Sequence, residues 1–186
     1  GIDLLNKGGL VWIKARNATE NNVLFDTERG VTKRLKSNST AAEDTNVSTL
    51  TNFYDNGFRV DGNGTVGSST DPYVSWSFRK APKFFDVVTY TGNGVNGRTI
   101  SHNLGSVPGM ILVKRLDSAD GWITYHRGMD ASSPEDYAMF LNLTNARATE
   151  TYWNNTAPTS TGFTVSSNVK LNGGSGQTYV AYLFAH

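Results

Sequence analysis

The chain has 186 residues, 38% of them hydrophobic and 11% aromatic, enough for a substantial core and well outside disordered composition. With 17 basic and 16 acidic residues spread along its length the formal net charge is +1, so there is no electrostatic footprint for a nucleic-acid backbone and no nucleic-acid partner is expected. The absence of cysteine excludes a disulfide framework and a thiolate metal site, and no apolar run reaches the roughly 18 residues of a membrane span, so no membrane insertion is expected. Gly1-Ile2-Asp3 does not resemble a signal peptide, and this bare start suggests a piece of something longer.

Taken in chain order, the predicted elements are short strands bounded by Gly, Asn, Asp, Ser or Pro. The first are Leu10–Ile13 and Val23–Phe25, followed by Thr27–Leu35, a polar stretch of helix-tolerant composition. Phe58–Val60 leads into Asp61-Gly62-Asn63-Gly64, where positive φ is cheap for Gly and Asn. Tyr73–Phe78 alternates large and small residues with period two, which predicts one face on a core and the other near solvent. Residues 81–108 carry Val87–Tyr90, a Gly92-Asn93-Gly94 turn and Arg98–His102, and predict a connecting hairpin. Met110–Val113 and Trp122–Tyr125 come next, then Ser133–Tyr137, a second candidate helix with Pro134 in its first turn. Ala138–Leu141 and Phe163–Val165 precede Gly173-Gly174-Ser175-Gly176, which lacks the Lys-Ser/Thr of a phosphate loop and predicts a hairpin turn. Tyr179–Phe184 is apolar throughout, as a strand buried on both sides should be. Ten strands and no organising helix make an all-β chain.

The chain also repeats itself. Gly9-Leu10-Val11-Trp12-Ile13-Lys14 recurs as Gly109-Met110-Ile111-Leu112-Val113-Lys114, and Tyr73–Phe78 recurs as Tyr179–Phe184 at an offset of 106. We read an internal duplication: residues 1–80 as a first repeat, 81–108 as the connecting hairpin segment and 109–186 as a second repeat. The expected architecture is an antiparallel, jelly-roll-like β-sandwich, either one double-layer sandwich with pseudo-twofold character or two small ones. Positions where the copies differ in chemistry, such as Asp26 against His126 and Trp12 against Leu112, are where function could reside.

Thr89-Tyr90-Thr91-Gly92-Asn93-Gly94, together with Ile100-Ser101-His102-Asn103-Leu104-Gly105-Ser106-Val107-Pro108 and Gly109–Lys114, resembles a pattern found in virion surface proteins of tailed bacteriophages, tail fibres among them, often of marine and cyanobacterial phages. Trp12-Ile13-Lys14, Leu24–Gly30 and Tyr73-Val74-Ser75-Trp76 are similar to other hallmarks of the same repeated domain. The resemblance implies a place on the virion, as an adhesin for a host cell-surface glycan or as an architectural fibre spacer or capsid decoration that binds other virion proteins. It brings with it the expectation of a homo-oligomer, a trimer first.

No catalytic constellation stands out. The histidines at 102, 126 and 186 form no helical zinc pair, there is no Gly-x-Ser-x-Gly elbow, and no carboxylate pair recurs between the repeats; no metal or cofactor is expected, and a glycan-degrading enzyme is the weakest reading. His102 on a strand is ordinarily structural. For a sugar ligand the candidates are Trp122 after the Asp120-Gly121 turn, Trp153 and Asn154 in a polar stretch, and Arg127 and Asp130 from a nearby loop. Against this, strand-start tryptophans more often anchor a core or an interface. Trp12 and Trp76, inside predicted strands, are expected in the core.

Overall fold

The computed structural model describes residues 1–186 and is an all-β antiparallel sandwich. The chain divides into two compact units, Gly1–Lys80 and Ala81–His186.

The first unit contains β1 (Gly9–Ala15), β2 (Val23–Asp26), β3 (Lys33–Lys36), β4 (Asp44–Thr45), β5 (Leu50–Tyr54), β6 (Gly57–Val60) and β7 (Tyr73–Arg79). Its main sheet has the order β4-β3-β2-β1-β7: three hairpin-linked strands with a late strand returning beside the first, the Greek-key order. Period two sends Val11, Ile13, Val23 and Phe25 to one face, where they meet Leu50, Phe53, Phe58 and Val60 from the β5–β6 hairpin, with Leu4 and Val66 closing the ends. Each fully buried side chain of this kind contributes about 1.5–3 kcal/mol. Gly9 opens β1 because a Cβ there would collide with the Phe78 carbonyl oxygen.

The second unit contains β8 (Phe85–Thr91), β9 (Arg98–Ser101), β10 (Pro108–Arg115), β11 (Ile123–His126), a 3-10 turn at Pro134–Asp136, β12 (Tyr137–Phe140), β13 (Ala148–Thr149), β14 (Gly162–Val165), the one-turn helix α1 (Val169–Asn172) and β15 (Thr178–Ala185). The sheet order is β13-β12-β11-β10-β15-β8, and β9 pairs with β14 as a separate ribbon. Ile111, Val113, Ile123, Tyr125, Tyr179, Ala181 and Leu183 on one sheet face pack with Ile100, Phe163 and Val165 from that ribbon.

The two units pair their strands in the same registers. Val11 faces Phe25 and Ser77; Ile111 faces Tyr125 and Leu183. Trp12 lies between Leu24 and Trp76 as Leu112 lies between Thr124 and Tyr182.

Several expectations are corrected. Residues 27–35 form a turn and β3 rather than a helix: the Asp26 carboxylate accepts the Glu28 and Arg29 amides, and Gly30 and Thr32 take positive φ of 91° and 66°. Residues 81–108 are not a hairpin and not a separate connector. They belong to the second unit, β8 pairing with β15 and β9 with β14, because both strands find their apolar partners far along the chain. Gly173–Gly176 links α1 to β15 rather than closing a hairpin. The additional strands are β3, β4, β5 and β13: β3 is mostly charged, β4 and β13 are two residues long, and β5 breaks period two at a register shift between Leu50 and Asn52.

Candidate functional site

The second-unit candidates do not form a site. Trp122 is 0% exposed, stacks on Tyr182 at 6.2 Å, and its amide donates to Asn142 Oδ1. Trp153 is 2% exposed, set edge-on to Tyr125 and Phe163, with its indole N–H donating to the Tyr137 carbonyl at 3.1 Å. Tyr182 and Tyr125 point to opposite faces of the sheet, since Tyr182 pairs with Leu112 and Tyr125 with the neighbouring Ile111. The two indoles therefore neither reach solvent nor share a face, and the sugar platform expected of them is replaced by two core anchors. The indole N–H of Trp153 finds a partner, which is what makes its complete burial tolerable.

The remaining candidates are turn chemistry. Asp130 accepts the Ser132 and Ser133 amides and pairs with Arg147 at 3.2 Å, contacts that hold its carboxyl below the usual carboxylate range, the Ser132 amide first. Arg147 in turn lies 3.9 Å over the Tyr137 ring. Arg127 is exposed, and its backbone N–H donates to the Gly109 carbonyl. Asn154 takes a positive φ of 53° and accepts from Asn96 Nδ2.

Other polar groups with functional potential are engaged in structure. Asp26, opposite Leu10 as His126 is opposite Met110, is buried against Arg29, whose guanidinium also reaches Glu43 and the Leu24 and Lys33 carbonyls. His126 is exposed and accepts the Gly128 amide. His102 is buried with Nδ1 accepting the Leu104 amide; burial lowers its pKa, against the pull of Asp86 and the Thr159 carbonyl. Lys114 is fully buried, its ammonium capping the Arg115 and Ser118 carbonyls, and burial draws its pKa down to about 8. No group of three or more His, Asp or Glu side chains is placed to hold a metal ion. A shallow polar cleft of about 460 Å³ lies over Ser48 and Asp61–Gly64, with no aromatic wall.

What the structure does expose is an aromatic face in the first unit. Trp12 and Trp76 are directly opposed on β1 and β7, and Leu10 and Phe78 are the next pair on the same face. The two indoles meet edge to face at 6.4 Å. Trp76 is 49% exposed and Trp12 half-buried, so their expected place in the core is also corrected. With Phe78 they line an apolar cleft of about 270 Å³. The reason is positional: Trp76 sits on an edge strand, whereas Tyr182, at the matching place in the second unit, sits between β10 and β8 and is 0% exposed. A half-exposed indole beside a second indole and a phenyl ring is the chemistry of a contact surface, able to take an apolar side chain or the apolar face of a sugar.

No helix is long and apolar enough to cross a membrane. Residues 5–186 match the family described as a domain of unknown function, DUF7483. No curated protein and no solved structure matches the chain.

Proposed function

The chain belongs to the DUF7483 family, and we propose that it is a non-catalytic binding module of a tailed-bacteriophage virion surface protein, holding a partner protein of the particle through Trp12, Trp76 and Phe78. The observation that carries the reading is the exposure of Trp76 next to an apolar cleft lined by Trp12 and Phe78. Exposed aromatic clusters of this kind are enriched at protein interfaces. The virion setting comes from the resemblance of the Thr89–Gly94 and Ile100–Lys114 segments to phage surface proteins.

A second reading, adhesion to host surface carbohydrate, is favoured by the Trp76 ring itself, which offers a flat face for a pyranose. The cleft is lined by three aromatic residues and brings no carboxylate or amide to hydroxyl groups, so protein is the better match.

The test is binding of labelled chain to purified virion proteins, host cells and isolated surface polysaccharides. Saturable binding to a virion protein, insensitive to periodate and at least tenfold weaker for Trp76→Ala, is the expected result. Binding lost on periodate oxidation establishes the adhesin instead, and binding indifferent to Trp76→Ala overturns the assignment of this face.

A further inference from the structure

His102 follows β9, is 5% exposed, and holds its turn only while it is uncharged. Its Nδ1 accepts the Leu104 amide at 3.2 Å, which requires a bare ring nitrogen. One other histidine caps in the same way: His126 Nδ1 accepts the Gly128 amide at 3.0 Å, but there the ring is exposed. Asparagine supplies the same cap at four places, where Oδ1 of Asn46, Asn63, Asn93 and Asn168 accepts the amide two residues on. Position 102 thus carries a titratable group in a buried version of a turn that asparagine makes elsewhere without titrating.

What the cap holds is Leu104. Its side chain is 0% exposed and belongs to the second unit's core with Ile100, Ile111 and Phe163. Its carbonyl accepts the Lys83 amide, and Gly105, next in the chain, takes a positive φ of 67°. Asn103, between cap and capped residue, donates its amide to Asp86 Oδ2 at 2.7 Å.

The surroundings offer a charged imidazole little. Asp86, buried on β8, is the charged group that favours the protonated ring. Residues 159–161 bring no charged side chain; the Thr161 carbonyl accepts the His102 amide, and the Thr159 carbonyl acts on the ring without a hydrogen bond of ordinary geometry. Lys83 is exposed and meets the turn through its amide. Nε2 is buried with no hydrogen-bond partner, and burial outweighs the pull of Asp86 and Thr159, so the ring takes up its proton below the ordinary 6.5.

We propose that His102 is an acid-operated latch on the turn 102–105. Neutral, it caps the Leu104 amide and keeps Leu104 in the core. Protonated, its Nδ1–H confronts the Leu104 N–H, the cap is lost, and the turn opens locally while the sheet of the second unit stays folded. An open turn returns the ring to solvent and to ordinary basicity, so the open state binds more protons than the closed one below about pH 6.5, and closure weakens as pH falls until the closed ring titrates as well. The latch is independent of the aromatic face of the first unit.

The test is amide hydrogen exchange of the full chain, read by NMR, with each rate divided by its intrinsic rate at the same pH. Between about pH 7.5 and about pH 5 the protection of the Leu104 amide is expected to fall at least fivefold, while that of the Leu112 amide, inside β10, falls less than twofold. His102→Asn keeps an acceptor for the Leu104 amide and removes the titration, so its Leu104 protection should fall less than twofold; His126→Asn, at the exposed cap, should retain the wild-type response. If His102→Asn fails to fold, the imidazole nitrogen shifts of the wild-type chain serve instead: Leu104 protection should level off at the pH where the His102 ring titrates. No fall at Leu104, an equal fall at Leu112, the wild-type fall in His102→Asn, loss of the response in His126→Asn, or a fall that runs on below the titration of the His102 ring overturns the proposal.

Discussion

Truncating Trp153 to alanine deletes an enclosed indole and orphans the Tyr137 carbonyl, and should cost about 3–5 kcal/mol in urea unfolding; Trp122→Ala should cost the same. Trp76→Ala loses a half-exposed ring and one edge-to-face contact, about 1 kcal/mol. The reverse order would mean that burial is misassigned between the units. Lys114 adds a pH signature. Its folded pKa of about 8 lies below the ordinary 10.5, so between those values the unfolded chain holds a proton that the folded chain has released, and stability contributed through this group rises with pH. Tyr90, Tyr125 and Tyr179, all raised above 10.0 with burial the first cause, act in the opposite sense at higher pH, which leaves pH 8–10 as the clean window. Wild type should gain on Lys114→Met across that window in urea midpoints, whereas a constant difference contradicts the assignment. At this scale little of the candidate site was legible. Trp122 follows the Asp120-Gly121 turn, yet its ring meets Tyr182, sixty positions away, and no local pattern announces that contact.

Strand direction makes a sharper prediction at the scale of elements. Val74 points its amide at β1 and Ser75 points its amide outward, so Val74→Pro should cost about 3 kcal/mol or more and Ser75→Pro less than about 1. Equal costs, measured by thermal or urea unfolding, would contradict the assigned register. The contrast between β7 and β15 was legible: Ser75 and Ser77 against Ala181 and Leu183 announce a half-solvated strand and a buried one. The partners of β8 and β9 were not, because a Gly/Asn turn between two short β-rich stretches has the same local signature whether they pair with each other or with strands 61 to 99 residues away. Residues 27–35 misled for a related reason: Arg29 looks solvent-facing, but its charge is matched by the buried Asp26.

For the whole molecule, the fold class followed from strand-length apolar runs, while the exposure of the Trp76 face followed from topology alone. Two units with the same pairing registers differ in whether a β8-type strand flanks the last one, and that difference turns a buried tyrosine position into an exposed tryptophan. A near-neutral net charge fits a partner held by apolar contacts, and binding should change less than about threefold between 50 and 500 mM salt. A steep loss of affinity with salt would point to a charged patch instead. The central claim, that Trp76 and its neighbours form the contact surface, is tested most directly by oxidative footprinting of Trp76 in the free chain and in assembled phage particles. The account predicts rapid oxidation of Trp76 in the free chain, slow oxidation of Trp122 and Trp153, and protection of Trp76 in the particle. Equal oxidation of Trp76 in both states would contradict it.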